Sequence, residues 1–327
     1  MKRKLFIAVC SVLGVVALAA ALIGWFVYST PPEVPHLSGI LTHGSIAVGG
    51  RVRTYRLYVP KGLAKDAPLV MALHGSGETG AQMRAMTGYG FERLADAHGF
   101  AVVYPDGYQG YWNGCNITGD YAANRLNIDD VAFLTALTGK LVGEIGIDRS
   151  RVFATGISRG GSMAMRLAIE APSLFRAVAI VSESVPTPDN FKCKPVGNGT
   201  SSLMIMNGDD DPIVPFDGGE VNLLGIFLKR GNVLSWRASG EYFARLDHLA
   251  GTPERRETQV ADGVHVEQLL WQGNTGVELD ILAIHGGGHG MPQPYLRYPR
   301  LLGPTAREPN GPALIWDFFA RQRPRQP

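Results

Sequence analysis

The pentapeptide Gly156-Ile157-Ser158-Arg159-Gly160 stands between an apolar run, residues 151–155, and a stretch with helical spacing, residues 161–168. A strand, a sharp turn and a helix in this order hold a serine at the tip of the turn in a strained backbone conformation. The glycines are required because side chains two residues from the serine would collide with the strand and the helix. The pentapeptide alone also arises by chance in a chain with 41 glycines among 327 residues. With its flanking elements, it predicts that Ser158 is the nucleophile of a serine hydrolase.

Continuous apolar runs recur on both sides of this motif and are typical of strands covered on both faces of a sheet. They occupy residues 69–73, 101–104, 152–154, 177–181 and 203–206. Helical patterns alternate with them at about 80–98, 129–143, 159–171 and 238–250, and residues 51–59 alternate as a half-exposed strand does. The alternation predicts the α/β class, with a mainly parallel, doubly wound sheet and flanking helices.

The N-terminal segment differs in composition from the rest of the chain. Lys2-Arg3-Lys4 precede residues 5–28, which carry no charge and are long enough to cross a membrane. Residues 1–30 are therefore predicted to be a signal peptide or a membrane anchor, and the length of the apolar run favours an uncleaved anchor. In either case the rest of the chain is exported to the periplasmic or extracellular face. Residues 31–40 are predicted to be an extended spacer and residues 41–327 a single catalytic domain.

Charge and cysteine content bear on the binding partners and on a possible disulfide. The formal net charge is +2 and only 18% of residues are charged, so no nucleic-acid partner is expected. Of the three cysteines, Cys10 lies in the apolar segment, which leaves Cys115 and Cys193 in the exported domain. An oxidising compartment favours a disulfide between these two, and a pair of buried thiols stays the alternative because sequence spacing does not fix their distance.

A serine hydroxyl needs an imidazole base and a carboxylate that orients the base, in the chain order serine, acid, histidine. His248, in a helical pattern, and His265, in a strand-like alternation, are interpreted as ordinary residues. His289 is preferred to His285 as the base because three glycines precede it on a loop long enough to reach the serine. A zinc site on this His-x3-His pair is not expected, because Gly-Gly-Gly is a poor helix and no carboxylate lies between the rings. We expect neither a metal nor a cofactor.

Candidates for the catalytic acid and for the oxyanion hole lie in the loops that follow other predicted strands and next to Ser158. Asp209, Asp210 and Asp211 all come after the strand at 203–206, and composition leaves the choice among them open. The two N–H donors for the oxyanion are predicted to be the backbone amides of Arg159 and Ser76. His74, upstream of the nucleophile, is interpreted as a structural residue of the turn that contains Ser76.

Several segments together resemble the secreted polyhydroxybutyrate depolymerases and the feruloyl or acetylxylan esterases. They include Leu73-His74-Gly75, Tyr104-Pro105-Asp106-Gly107, Asp211-Pro212-Ile213-Val214-Pro215 and Gly287-Gly288-His289, and the similarity runs from about Tyr55 to Phe319. The resemblance implies the α/β-hydrolase fold, with Ser158 as nucleophile, Asp211 as acid and His289 as base. The chain departs from it at Ser76, where members often carry cysteine, and at Gly290-Met291-Pro292, where members often carry tryptophan and proline.

The sequence thus predicts an exported serine esterase that hydrolyses carboxylic esters through an acyl-enzyme. The expected partner is a small-molecule or polymer ester, with membrane contact through residues 5–28 if these are retained. Tyr111, Trp112 and Met291 are candidate substrate-pocket residues, and residues 221–235 are predicted to form either a lid or acyl-binding wall, or a surface helix. A serine peptidase on the same fold and a catalytically silent binding protein are the alternatives. Oligomeric state and the physiological ester stay open.

Overall fold

The computed structural model describes residues 2–197, 201–225, 227, 229–249, 251–260, 263–273 and 276–322. Its main feature is a ten-stranded sheet. The strands in chain order are β1 Ile40–Val48, β2 Arg51–Val59, β3 Ala67–Leu73, β4 Ala101–Pro105, β5 Ile147–Ile157, β6 Ala177–Val181, β7 Ser202–Gly208, β8 Gly219–Glu220, β9 Asn232–Val233, β10 Glu254–Gln259, β11 His265–Gln272 and β12 Glu278–His285. β8 and β9 form a separate two-stranded ribbon.

The large sheet has the order β1-β2-β4-β3-β5-β6-β7-β12-β11-β10. Its six central strands, from β4 to β12, run parallel, and the two strands at each end pair antiparallel. All seven residues of β3 are buried, with Leu69 and Met71 in one apolar cluster and Val70 and Ala72 in the other. Both faces of the sheet are therefore covered, which confirms the predicted architecture.

Helices supply the two covering layers. They are α1 Lys2–Val27, α2 Gly80–Met86, α3 Gly90–His98, α4 Ala122–Arg125, α5 Asp130–Ile145, α6 Arg159–Glu170, α7 Trp236–Leu246 and α8 Gly311–Ala320. Apolar residues of α5, α6 and α7 join one cluster, and those of α2, α3 and α8 join the other. Because the central strands are parallel, their carboxyl ends meet at one edge of the sheet, where loops can bring distant residues together.

Three details differ from the sequence predictions. The single helix expected over 80–98 is two helices, because Gly88 and Tyr89 adopt positive φ values of 60° and 57° between α2 and α3. The helix expected at 238–250 is α7, which ends at Leu246, and residue 250 lies outside the described residues. The described part of 221–235 contains no helix: Leu223 pairs with Phe227 across a turn, while residues 226 and 228 are outside the described residues.

The N-terminal helix α1 lies apart from the two apolar clusters. Its stretch Val9–Val27 has a mean hydropathy of 2.4 and is not buried by the rest of the chain, so its length and composition suit a membrane span. Its C-terminal end meets the domain. Arg300 Nη1 donates to the carbonyl of Trp25 at 3.1 Å, and its guanidinium lies 4.1 Å from the indole ring.

Candidate active site

Ser158 lies at the turn between β5 and α6 with φ 53° and ψ −117°, a strained conformation for a residue other than glycine. The turn depends on its glycines. A Cβ on Gly156 would lie 2.1 Å from the carbonyl oxygen of Gly160, and a Cβ on Gly160 would lie 2.2 Å from that of Leu73. The Ser158 N–H donates to the carbonyl of Val181 at 2.8 Å, which ties the turn to the neighbouring strand β6.

Asp211 and His289 come together from the loops after β7 and β12. The Asp211 Oδ2 and His289 Nδ1 atoms are 2.7 Å apart, and the Asp211 side chain is fully buried. The other carboxylate oxygen accepts the backbone N–H groups of Ile213 and Val214 at 2.8 and 2.9 Å. With a hydrogen-bond partner on each carboxylate oxygen, Asp211 fixes the orientation of the imidazole through Nδ1.

The pKa of His289 is raised. Burial on its own lowers this pKa, but the charge of Asp211 and its hydrogen bond to the ring outweigh burial. The backbone around the histidine is fixed as well, since its N–H donates to the carbonyl of Leu302 and that of Gly288 donates to Pro304. A Cβ at Gly288 would lie 2.4 Å from the Leu302 carbonyl oxygen, so this glycine permits the close approach.

A second acid–histidine pair lies beside the first. His285 Nδ1 and Asp209 Oδ2 are 2.8 Å apart, and both side chains are partly exposed. The His285 ring also stacks on His265, with ring centroids 4.0 Å apart. Asp210 is exposed, and its backbone N–H donates to the carbonyl of Gly287. The three adjacent aspartates thus have three different environments, and only Asp211 contacts His289 within the described residues.

The turn after β3 has one free amide at the expected place. Gly75 N–H donates to Glu78 Oε2 and Gly77 N–H donates to the carbonyl of Gly110, both at 2.9 Å. Within the described residues the Ser76 N–H has no acceptor, which suits an oxyanion donor. Arg159 is the first residue of α6, so its N–H has no acceptor within the helix.

His74 is held by backbone groups on both ring nitrogens. Nδ1 lies 2.7 Å from the Gly75 carbonyl, and Nε2 accepts the N–H of Gly107 at 2.8 Å. Burial lowers the pKa of His74 to about 4, so the ring is neutral at physiological pH. These contacts suit the structural role that the sequence predicted for it.

The three candidate pocket residues differ in exposure. Trp112 is fully buried and donates through Nε1 to the carbonyl of His74 at 3.0 Å, and Met291 is fully buried in the apolar cluster that contains α8. Both side chains are therefore enclosed by the protein, and their assignment to a substrate pocket stays a prediction. Tyr111 is half-buried and stacks on Tyr121 with a centroid distance of 5.1 Å, so it stays a candidate.

Cys115 and Cys193 form a disulfide, with Cα atoms 5.0 Å apart. The bond fastens the loop after Trp112 to the segment after β6, and Lys192 N–H donates to the Cys115 carbonyl at 2.9 Å. The neighbouring Asn116 accepts from Arg159 Nη1 and from Ser162 Oγ, both at 2.7 Å. The disulfide loop is thus connected to the first turn of α6, immediately after Ser158.

Two charged side chains near the site escaped the sequence analysis. Glu183 follows the end of β6, so the strand-end rule that found the other site residues would have found it too. Arg230 follows Lys229 in a segment with no helical or strand pattern, and the sequence offers no sign of its position. Among the described residues, no three histidine, cysteine or acidic side chains are grouped as a metal site would require.

Comparison with known proteins finds similarity to esterases. Residues 53–191 match the family model described as esterase PHB depolymerase. The putative esterase NocK of Nocardia uniformis subsp. tsuyamanensis is 30% identical over 307 residues, which cover 89% of this chain and 86% of that protein. Feruloyl esterase C of Emericella nidulans is 32% identical over 197 residues, 58% of this chain and 64% of the relative.

A solved structure shares the fold. The acetyl xylan esterase from Aspergillus awamori superposes with a TM-score of 0.55 at 18% identity, covering 77% of this chain and 95% of that one. At that identity the likeness is one of fold alone. It agrees with the α/β-hydrolase fold expected from the sequence.

Proposed function

This chain belongs to the esterase PHB depolymerase family, and on that premise we propose that it is an exported serine esterase that forms an acyl-enzyme on Ser158. The observation that carries the proposal is the 2.7 Å contact between Asp211 and His289, on loops at the same sheet edge as the strained serine turn. The order serine, acid, histidine along the chain is that of α/β-hydrolases.

In the proposed reaction His289 Nε2 takes the proton of the Ser158 hydroxyl as the oxygen attacks the ester carbonyl. Asp211 stabilises the imidazolium that forms, and the amides of Ser76 and Arg159 bind the oxyanion. Collapse of the tetrahedral intermediate releases the alcohol, which takes its proton from His289. Water, deprotonated by the same imidazole, then attacks the acyl-enzyme. The second tetrahedral intermediate collapses, Ser158 takes its proton back from His289, and the carboxylic acid leaves. The steps use protein side chains, the two backbone amides and water.

The proposal also covers where the chain lies relative to the membrane. Residues 1–30 act as an export signal or an uncleaved anchor, supported by the length and hydropathy of Val9–Val27. Residues 31–40 are the spacer and 41–327 the esterase domain. Because Arg300 and Arg297 contact residues 25–30, an uncleaved helix would hold the domain close to the membrane surface.

The substrate is proposed to be a small-molecule or polymer ester. The names of the relatives support ester hydrolysis, and they point to feruloyl and acetyl xylan esters as classes to test. A hydroxybutyrate oligomer belongs in the same panel because the matching family is named for PHB depolymerase. Acyl preference across acetyl, butyryl, feruloyl and hydroxybutyrate esters, measured with the full chain in a non-ionic detergent, distinguishes these classes.

The decisive variant is Ser158→Ala. We expect kcat/KM for 4-nitrophenyl butyrate to fall by at least about 10⁴-fold, because removing the nucleophile disables the whole triad. Ser173→Ala, the same change at an exposed serine, is the matched control and should keep full activity. A fluorophosphonate probe should label the wild-type chain at residue 158. Turnover within tenfold of wild type in a folded Ser158→Ala protein would refute the proposal.

A further inference from the structure

Two buried arginines lie beside the proposed oxyanion hole without carboxylate partners. Arg159 is fully buried and Arg230 is 7% exposed. Neither forms an ion pair with any residue that the structure describes, although buried arginines are normally paired. Removing an unpaired charge from water is costly, so two such groups together call for an explanation.

The Arg159 guanidinium is only partly satisfied. Nε donates to the Trp112 carbonyl at 2.8 Å and Nη1 donates to Asn116 Oδ1 at 2.7 Å. Nη2 is buried and has no partner among the described residues. The guanidinium carbon lies 4.5 Å from the centre of the Tyr121 ring, which provides a cation–π contact but no counter-charge.

Arg230 reaches the oxyanion turn itself. Its Nη2 donates to Ser76 Oγ at 2.8 Å, and its guanidinium carbon lies 5.9 Å from the centre of the same Tyr121 ring. In the part of the chain that is described, its Nε and Nη1 have no hydrogen-bond partner. The Ser76 N–H is the proposed oxyanion donor, and Arg230 binds the side chain of the same residue. The Nε and Nη1 groups of Arg230 are therefore close to the place where the scissile carbonyl of an ester would bind.

Both arginines act electrostatically on the buried carboxyl group of Glu183. Glu183 nevertheless forms no ion pair with either of them among the described residues. It is buried, and its Oε1 accepts the N–H of Ser184 at 3.2 Å rather than an arginine N–H. Burial raises the pKa of Glu183 to about 7 even though both arginines and His289 act on it. The raised pKa weakens the negative charge that this carboxyl presents to the two arginines at neutral pH. The region keeps excess positive charge beside the nucleophile.

We propose that Arg230, with Arg159 behind it, forms a subsite for a carboxylate group of the substrate. The preferred substrates are then esters that carry a free carboxylate on the acyl or the alcohol side, a class that includes hydroxyacid oligomers with a free acid end. A carboxylate would accept from the unsatisfied N–H groups of Arg230 and balance the charge of both guanidinium groups. This inference rests on the proposed esterase function and adds to it a selectivity that Ser158 chemistry alone does not supply.

The test compares charged esters with neutral esters of the same shape. On the acyl side, mono-4-nitrophenyl adipate is compared with methyl 4-nitrophenyl adipate. On the alcohol side, 4-acetoxybenzoate is compared with methyl 4-acetoxybenzoate. The quantity measured is the ratio of kcat/KM values, charged over neutral, for the full chain in a non-ionic detergent and corrected for spontaneous hydrolysis. We expect a ratio of at least about 10 on one of the two sides, the size of a hydrogen bond to a charged group.

Variants identify the group responsible. Arg230→Gln should lower the ratio to near 1, Arg230→Lys should restore part of it, and Arg245→Gln, the same change at an exposed arginine, should leave it unchanged. Thermal melting checks that each variant is folded. A wild-type ratio near or below 1 on both sides overturns the inference without any variant, as does a preference that survives in folded Arg230→Gln. If the neutral esters are hydrolysed in a Ser158-dependent way, either result leaves the proposed esterase function intact; if they are not, that function fails instead.

Discussion

Removing the disulfide between Cys115 and Cys193 should cost the domain much of its stability. The two cysteines are 78 positions apart. In the chain-entropy treatment a crosslink of that length stabilises the folded state by about 4.5 kcal/mol at 25 °C. For a domain of this size, whose unfolding entropy is about 600 cal/mol/K, the loss lowers Tm by about 7 °C. Alanine is the suitable replacement because both sulfur atoms are buried and a serine hydroxyl there would need a partner.

The same change should reach the active site. Asn116, next to Cys115, holds both Arg159 Nη1 and Ser162 Oγ, and these residues form the first turn of α6 after Ser158. Freed from Cys193, the loop can move away from that turn. We therefore expect kcat for a neutral ester to fall by about tenfold or more, since misplacement by 1 Å is enough for such a loss.

The assay is urea unfolding of the full chain in non-ionic detergent, followed by tryptophan fluorescence, with kcat measured on the same samples. The Cys115→Ala/Cys193→Ala protein is compared with Cys10→Ser, which removes the exposed free cysteine and should be as stable as wild type. Dithiothreitol should destabilise wild type and leave the double variant unchanged. A double variant within about 1 kcal/mol of wild type would contradict the entropic argument, and unchanged kcat would contradict the link to α6.

Three further predictions concern the Ser158 turn and the pair formed by Asp211 and His289. Gly160→Ala places a methyl group 2.2 Å from the Leu73 carbonyl oxygen and should lower kcat by about 100-fold. Gly139→Ala adds the same group on α5, where it would meet open space outside its own helix among the described residues, and should keep full activity. Equal activities of the two variants would refute the packing argument. Because His289 must be neutral to act as base and its pKa is raised above the ordinary 6.5, kcat/KM should fall as pH drops through that raised value. Asp211→Asn should lower kcat by about 10⁴-fold and move the acidic side of the pH–rate profile to lower pH. Asp209→Asn should change kcat by less than about tenfold. A pH–rate profile that does not move in Asp211→Asn, or a larger loss in Asp209→Asn, would contradict the assignment of Asp211 as the acid.

The fold could be predicted from sequence where hydrophobicity carried the signal. Strands such as β3 and β6 are continuous apolar runs because helices cover both faces of the sheet, so their composition reflects their position. β10, Glu254–Gln259, is exposed along its whole length and shows no apolar alternation. It is an edge strand that forms through backbone pairing with β11, and no side-chain pattern could reveal it.

The candidate site divides in a similar way. The Ser158 turn is encoded locally, because its glycines prevent clashes with residues a few positions away or in the adjoining strand. The choice among Asp209, Asp210 and Asp211 is not local. These residues are chemically identical, and their separation into a buried partner of His289, a surface partner of His285 and an exposed residue depends on how the loops after β7 and β12 meet. Composition left three candidates for the acid, and it was the resemblance to a known family that pointed to Asp211.

Position 159 shows why a backbone role can hide a side-chain role. Any residue after Ser158 supplies the same N–H, so the expected oxyanion donor places no demand on the side chain. Yet the Arg159 side chain is fully buried and bonded to Trp112 and Asn116, on the loop that the disulfide fastens. Because burying an arginine is costly, we expect this side chain to have a role of its own. Arg159, which follows the proposed nucleophile, therefore connects the proposed oxyanion hole, the disulfide loop and the region of Arg230. We expect a change in any one of these three to alter the other two.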